Sequence, residues 1–114
     1  MKRLIVSITL ALSLSCGNVK ADPSMDQQVF AARCAKCHGE TGTGTFMLGR
    51  RHGKELGMLE RRTDLAPELI RHVVRNGIVS MPAITRVEVT DEELDAIVRY
   101  LTRKQDAPAP SSKP

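Results

Sequence analysis

Two thiols and an imidazole fall within five consecutive residues, Cys34-Ala35-Lys36-Cys37-His38, and the fold must accommodate whatever those side chains hold. Two cysteines separated by two residues, with a histidine directly after the second, is the spacing at which haem is attached covalently through two thioethers. Other chemistries also use a C-x-x-C. A thioredoxin-like dithiol expects a strand before the motif and a parallel sheet around it, and no strand-rich pattern occurs in this chain. A structural zinc site needs four ligands; only His52 and His72 remain as imidazoles, with no second C-x-x-C and no H-x₃₋₅-H.

The start of the chain bears on how many cysteines matter. Met1-Lys2-Arg3 is a cationic start, Leu4 to Leu14 is an apolar run, and Val19-Lys20-Ala21 offers small residues for a signal peptidase. Residues 1–21 therefore read as a secretory signal peptide, which places the mature protein in the periplasm. The apolar run is shorter than the ~20 residues of a membrane span, and no later segment resembles it, so no membrane span is expected. Cys16 lies in the removed segment, and Ser13-Leu14-Ser15 lacks the upstream leucine of a lipoprotein site.

Cleavage after Ala21 removes Lys2, Arg3 and Lys20 and no acid, which leaves 14 bases against 13 acids, near +1. Nucleic acid as a partner loses its electrostatic footprint. Phe30, Phe46 and Tyr100 are the only rings, too few to stack bases. Cys34 and Cys37 alone survive, so no disulfide framework staples the domain. A chain of about 90 residues buries a limited core. A haem, large, flat and apolar, would fill it.

The periodicities predict an all-α domain over residues 22–104. Asp22 to Gly39 reads as one helix entering the motif, with Met25, Val29 and Phe30 at helical intervals and Met25 facing the other helices. Glu40 to Thr63, with its Thr-Gly alternation and Gly53 and Gly57, reads as a long loop with one helical turn near Leu56 to Glu60. Leu65 to Asn76 reads as a helix with Pro67 in its first turn, Leu69, Ile70, Val73 and Val74 as its apolar face, and Asn76-Gly77 as its stop. Ile78 to Val89 is extended and irregular. A last helix opens at Thr90 with a capping box to Glu93, ahead of Leu94, Ile97, Val98 and Leu101. Residues 105–114, rich in Ala, Pro and Ser, form a flexible tail.

His38, next to the second anchored cysteine, is placed to bind the iron from one side. The opposite ligand is to be sought among Met25, Met47, Met58, Met81, His52 and His72. Met81 has the most in its favour: it follows the middle helix, lies in a proline-stiffened stretch, and leaves enough chain after His38 to pass around the haem. His72, four residues after Glu68, reads as a solvated helix face, and His52 as a surface loop residue. Arg50 and Arg51 are candidates to receive the haem propionates, since guanidinium forks match carboxylates.

A histidine–methionine pair saturates iron, and the soft thioether favours Fe(II), so a high reduction potential follows. Such a site carries single electrons rather than catalysing; a haem sensor or peroxidase would need Met81 to detach.

Taken together, Phe30 four residues before the first motif cysteine, the motif itself, the loop to Met81, and Ile97, Tyr100 and Leu101 in the last helix resemble class I c-type cytochromes over the whole mature chain. That resemblance implies a small fold of three main helices and loops wrapped around one covalent haem c, with His38 and Met81 as axial ligands. "VVRNGIVSMPAI" and "RRHGKELGMLERRTDL" are further similar to the cytochrome subunits of flavocytochromes that oxidise para-alkylphenols, the group of p-cresol methylhydroxylase and eugenol hydroxylase. This implies a flavoprotein dehydrogenase subunit and a downstream electron acceptor as partners; a free-standing cytochrome serving a respiratory oxidase is the alternative. One departure is Thr45, where many class I cytochromes have a proline after the equivalent of Gly44.

Overall fold

The computed structural model describes residues 22–103. The signal peptide expected over residues 1–21 and the tail expected over 105–114 lie outside the described residues, as does Lys104. Five helices follow one another: α1 (Pro23–Arg33), α2 (Ala35–His38), α3 (Thr43–His52), α4 (Pro67–Asn76) and α5 (Asp91–Thr102), with 3-10 turns at Lys54–Leu56 and Leu59–Arg61. Among the described residues there is no β-strand, and the all-α class expected from the periodicities is the class observed.

Local chemistry sets the helix ends. The Asp22 carboxylate accepts from the Ser24 amide at 2.9 Å, and Pro23 occupies the first turn of α1, where its missing N–H leaves nothing unpaired. The Thr90 capping box is complete: its hydroxyl accepts from the Glu93 amide at 3.2 Å, while Glu93 accepts from the Thr90 amide at 3.0 Å. Thr90→Ala should therefore lower stability by about 1 kcal/mol, read as a shift in the denaturant midpoint with an unchanged slope.

The core lies where α1 crosses α5. Phe30 and Ile97 are 2% and 1% exposed, and the Phe30 ring meets Tyr100 at a centroid distance of 5.3 Å, tilted by 37°. Leu94, Val98 and Leu101 extend this cluster along α5, and α4 adds Ile70 and Val74. Ion pairs fix the crossings from outside. Arg99 donates to both oxygens of the buried Asp26 carboxylate at 2.9 and 2.7 Å, Arg33 reaches Glu93 at 2.7 Å, and Arg71 reaches Asp95 at 2.9 Å.

The structure differs from the sequence-based expectation in several places in the first half of the domain. The single helix expected from Asp22 to Gly39 breaks at Cys34, whose φ of −118° separates α1 from the one-turn α2. Met25 does not face the other helices; it is exposed, because α1 turns Asp26, Val29 and Phe30 inward. The stretch taken as a long loop contains α3. Gly53 ends α3 at a φ of 102°, whereas Gly57 permits a close contact: a Cβ there would lie 2.7 Å from the Thr45 carbonyl and 3.2 Å from Gly49 Cα, so α3 and the following turn touch backbone to backbone.

Candidate haem site

The motif occupies the junction of α1 and α2. Cys34 is half-buried and Cys37 exposed, both with free thiols. Burial, and secondarily the neighbouring Cys37, push the Cys34 thiol up to about 11. A thiol held protonated at neutral pH is a poor exchange nucleophile, which disfavours a redox dithiol. Among the described residues no three His, Cys, Asp or Glu side chains converge on a common point for a metal ion. A metal here would take few of its bonds from the chain, as iron does when a macrocycle supplies the rest.

His38 is half-buried, and that burial holds its imidazole below the usual histidine range, in the direction that favours the neutral form a metal ligand requires. Its Nδ1 is enclosed and has no hydrogen-bond partner. The ring edge lies on Gly44: a Cβ there would stand 2.9 Å from His38 Cε1, 3.1 Å from Nδ1 and 2.8 Å from the Cys37 carbonyl. With Nδ1 turned toward α3, Nε2 is the nitrogen left for a metal ion. Thr45 directs its hydroxyl to the Gly39 carbonyl at 2.7 Å, tying the end of α2 to α3. Gly44→Ala should displace the imidazole and destabilise the holoprotein by roughly 1–3 kcal/mol, with a perturbed haem spectrum as the accompanying sign.

Met81 is half-buried against the same core cluster that Cys34 packs on. Its backbone forms a two-residue turn with Ile78, whose amide donates to the Met81 carbonyl at 3.0 Å while the Met81 amide donates to Ile78 at 2.9 Å. Between His38 and Met81 the large apolar side chains Phe46, Met47, Leu56, Leu69, Ile78 and Val79 are exposed, as are Met25 and Val87 outside those segments. Leu69 and Val73 were expected in the core, yet Leu69 is 47% exposed and Val73 half-buried, while Ile70 and Val74 are the α4 residues that reach it. The free thiols of Cys34 and Cys37, the His38 imidazole with its Nδ1 turned away, and the half-buried Met81 fit a covalent haem.

Arg50 and Arg51 both lie exposed in the last turn of α3. The Arg50 guanidinium sits 5.7 Å from the Phe46 ring centroid and borders a groove of about 490 Å³ formed with Glu40, Gly42, Thr45 and Lys54. None of Cys34, Cys37, His38 or Met81 lines that groove. His52 and His72 are exposed, as expected, and the His72 carbonyl accepts from the Asn76 side chain at 2.9 Å.

Arg75 is the site residue that sequence reasoning missed. From α4 it donates to the Ile84 and Val89 carbonyls at 3.1 and 3.0 Å and to Asp91 at 2.8 Å. The Ile84 amide meanwhile bonds the Val74 carbonyl at 2.8 Å. The segment carrying Met81 is thus pinned to α4 downstream of the methionine.

Residues 21–101 match the family described as cytochrome c oxidase, cbb3-type, subunit III. The chain is 28% identical over 120 residues to the cytochrome c subunit of 4-cresol dehydrogenase (hydroxylating) from Pseudomonas putida, an alignment spanning 100% of this chain and 92% of that one. It is 31% identical over 81 residues to cytochrome c6 from Cyanidioschyzon merolae, covering 71% of this chain and 73% of the relative. No solved structure gives a significant match. With a C-x-x-C-H turn and a histidine whose Nδ1 is enclosed, the chain belongs to the family of the cbb3-type subunit III and is a class I c-type cytochrome, an electron carrier with covalently bound haem c.

Proposed function

We propose that the mature protein works in the periplasm as the electron-accepting cytochrome of a flavoprotein dehydrogenase acting on para-alkylphenols, and hands its electrons to a downstream carrier. In this role Cys34 and Cys37 anchor the haem, His38 and Met81 bind its iron, and Arg50 and Arg51 supply cations for its propionates. Bound haem c supplies a one-electron Fe(III)/Fe(II) couple. The chain's own contribution is to tune and expose that couple. Met81 offers a soft sulfur, and His38, with Nδ1 unpaired, is a weaker donor than an imidazole hydrogen-bonded to a carbonyl. Both favour the reduced state and a high potential. Because a phenol dehydrogenation releases two electrons, each turnover calls for two successive transfers.

The observation that carries the partner assignment is the full-length likeness to the cytochrome subunit of 4-cresol dehydrogenase. Pro82 and Ala83, exposed directly after Met81, offer that partner an uncharged contact. Anaerobic titration with the flavin subunit of a para-alkylphenol dehydrogenase should yield a defined complex and a reduced cytochrome. Ala83→Asp should weaken that complex at least about tenfold, since a charge buried against a partner is left unpaired. Should the flavoprotein neither bind nor reduce the cytochrome, the subunit role falls. The cytochrome c6 relative then favours a freely diffusing carrier, for instance to a respiratory oxidase.

A further inference from the structure

Val79 alone among the described non-glycine residues has a positive φ, of 53°. For a β-branched side chain this is a genuine outlier, because the branched Cβ is forced toward the backbone. It sits first in the two-residue turn Val79-Ser80 closed by the paired Ile78–Met81 hydrogen bonds, and a turn with positive φ at its first position alone ordinarily takes glycine there. The side chain is 83% exposed, so little packing within the chain offsets the strain.

The turn that presents Met81 packs on the end of α4. Gly77 ends α4 with φ 75°, and a Cβ there would stand 2.6 Å from the Met81 carbonyl and 2.9 Å from the Ala83 amide, so the turn folds back onto the end of α4. Arg75 and the Val74 carbonyl hold Ile84 in place downstream. Gly77 and Ile84 are thus both held against α4, and between them the Ile78–Met81 pair closes with Val79 at positive φ.

We infer that Val79 is a positioning residue that acts through Met81: its backbone strain loads the seated methionine and biases it toward release, so that the sixth position of this cytochrome exchanges readily with small neutral donors. The inference rests on Met81 being the iron ligand. Strain of this class shifts an opening equilibrium by roughly tenfold. Glycine adopts the turn freely, and asparagine tolerates positive φ without adding glycine's flexibility to the open form.

The test is a titration of the ferric holoprotein with imidazole, followed by absorption, with thermal unfolding alongside. Val79→Gly and Val79→Asn should each weaken imidazole binding about tenfold, retain the long-wavelength band of thioether-bound ferric haem, and raise the melting temperature. Val87→Gly, a change at a 95% exposed valine outside the turn, should leave imidazole affinity within about twofold of the parent. Imidazole affinity unchanged or increased in both Val79 variants overturns the inference. Met81→Ala separates the two failures. If it removes the band while the Val79 variants do nothing, the strained seat is wrong and the ligand right; if it leaves the band in place, both fall.

Discussion

Met81→Ala is expected to abolish the long-wavelength absorption band of the ferric protein and to lower the reduction potential by roughly 0.2 V, a fraction of the ~0.8 V range that axial ligands command. Thioether sulfur stabilises Fe(II) relative to Fe(III), and its removal leaves water or an adventitious nitrogen, both harder donors. The variant should still fold and still hold its haem, because Met81 lies at the edge of the core and the covalent anchors are untouched. The potential, measured by redox titration, therefore reports the ligand rather than a collapse of the domain. Persistence of the band would move the ligand elsewhere, with the half-buried Met58 next in line.

The largest stability effect is expected at Phe30. Its ring is enclosed by α5 and stacked at 5.3 Å on Tyr100. Phe30→Ala should cost about 3–5 kcal/mol in chemical unfolding of the holoprotein, the lost transfer of a buried ring plus the cavity it leaves. A domain of this size has about 5–15 kcal/mol in total, so the variant sits near the threshold of folding. Met25→Ala, five residues earlier but exposed, should stay within about 0.5 kcal/mol. Equal losses at the two positions would mean that the α1–α5 crossing is not where the stability resides.

What could be read from the sequence was what local chemistry decides. The haem motif is legible from spacing alone; the Thr90 box depends on two residues three apart and the α5 stripe on periodicity, and these two stand where they are expected. The features that escaped reading depend on partners distant in the chain. Gly44, Gly49 and Gly57 look like helix breakers, yet Gly44 and Gly49 are within α3, and Gly44 and Gly57 permit close contact, with the His38 ring in one case and with the Thr45 and Gly49 backbone in the other. Leu69 is apolar at a helical position whether it meets the core or a cofactor, so periodicity cannot separate the two. Arg75 resembles any solvated arginine on a helix until the Ile84 and Val89 carbonyls are brought beneath it. Valine ordinarily favours extended backbone, so nothing in the local sequence announces the positive φ of Val79.

The attachment of the cofactor tests the account most directly. Intact-mass measurement of the exported, coloured protein, made with a haem-attachment system and treated under denaturing conditions with a thiol-alkylating reagent, should give the processed chain plus one haem, with neither Cys34 nor Cys37 alkylated. A mass equal to the bare chain carrying two alkyl groups, with the pigment released into acidified acetone, would contradict it.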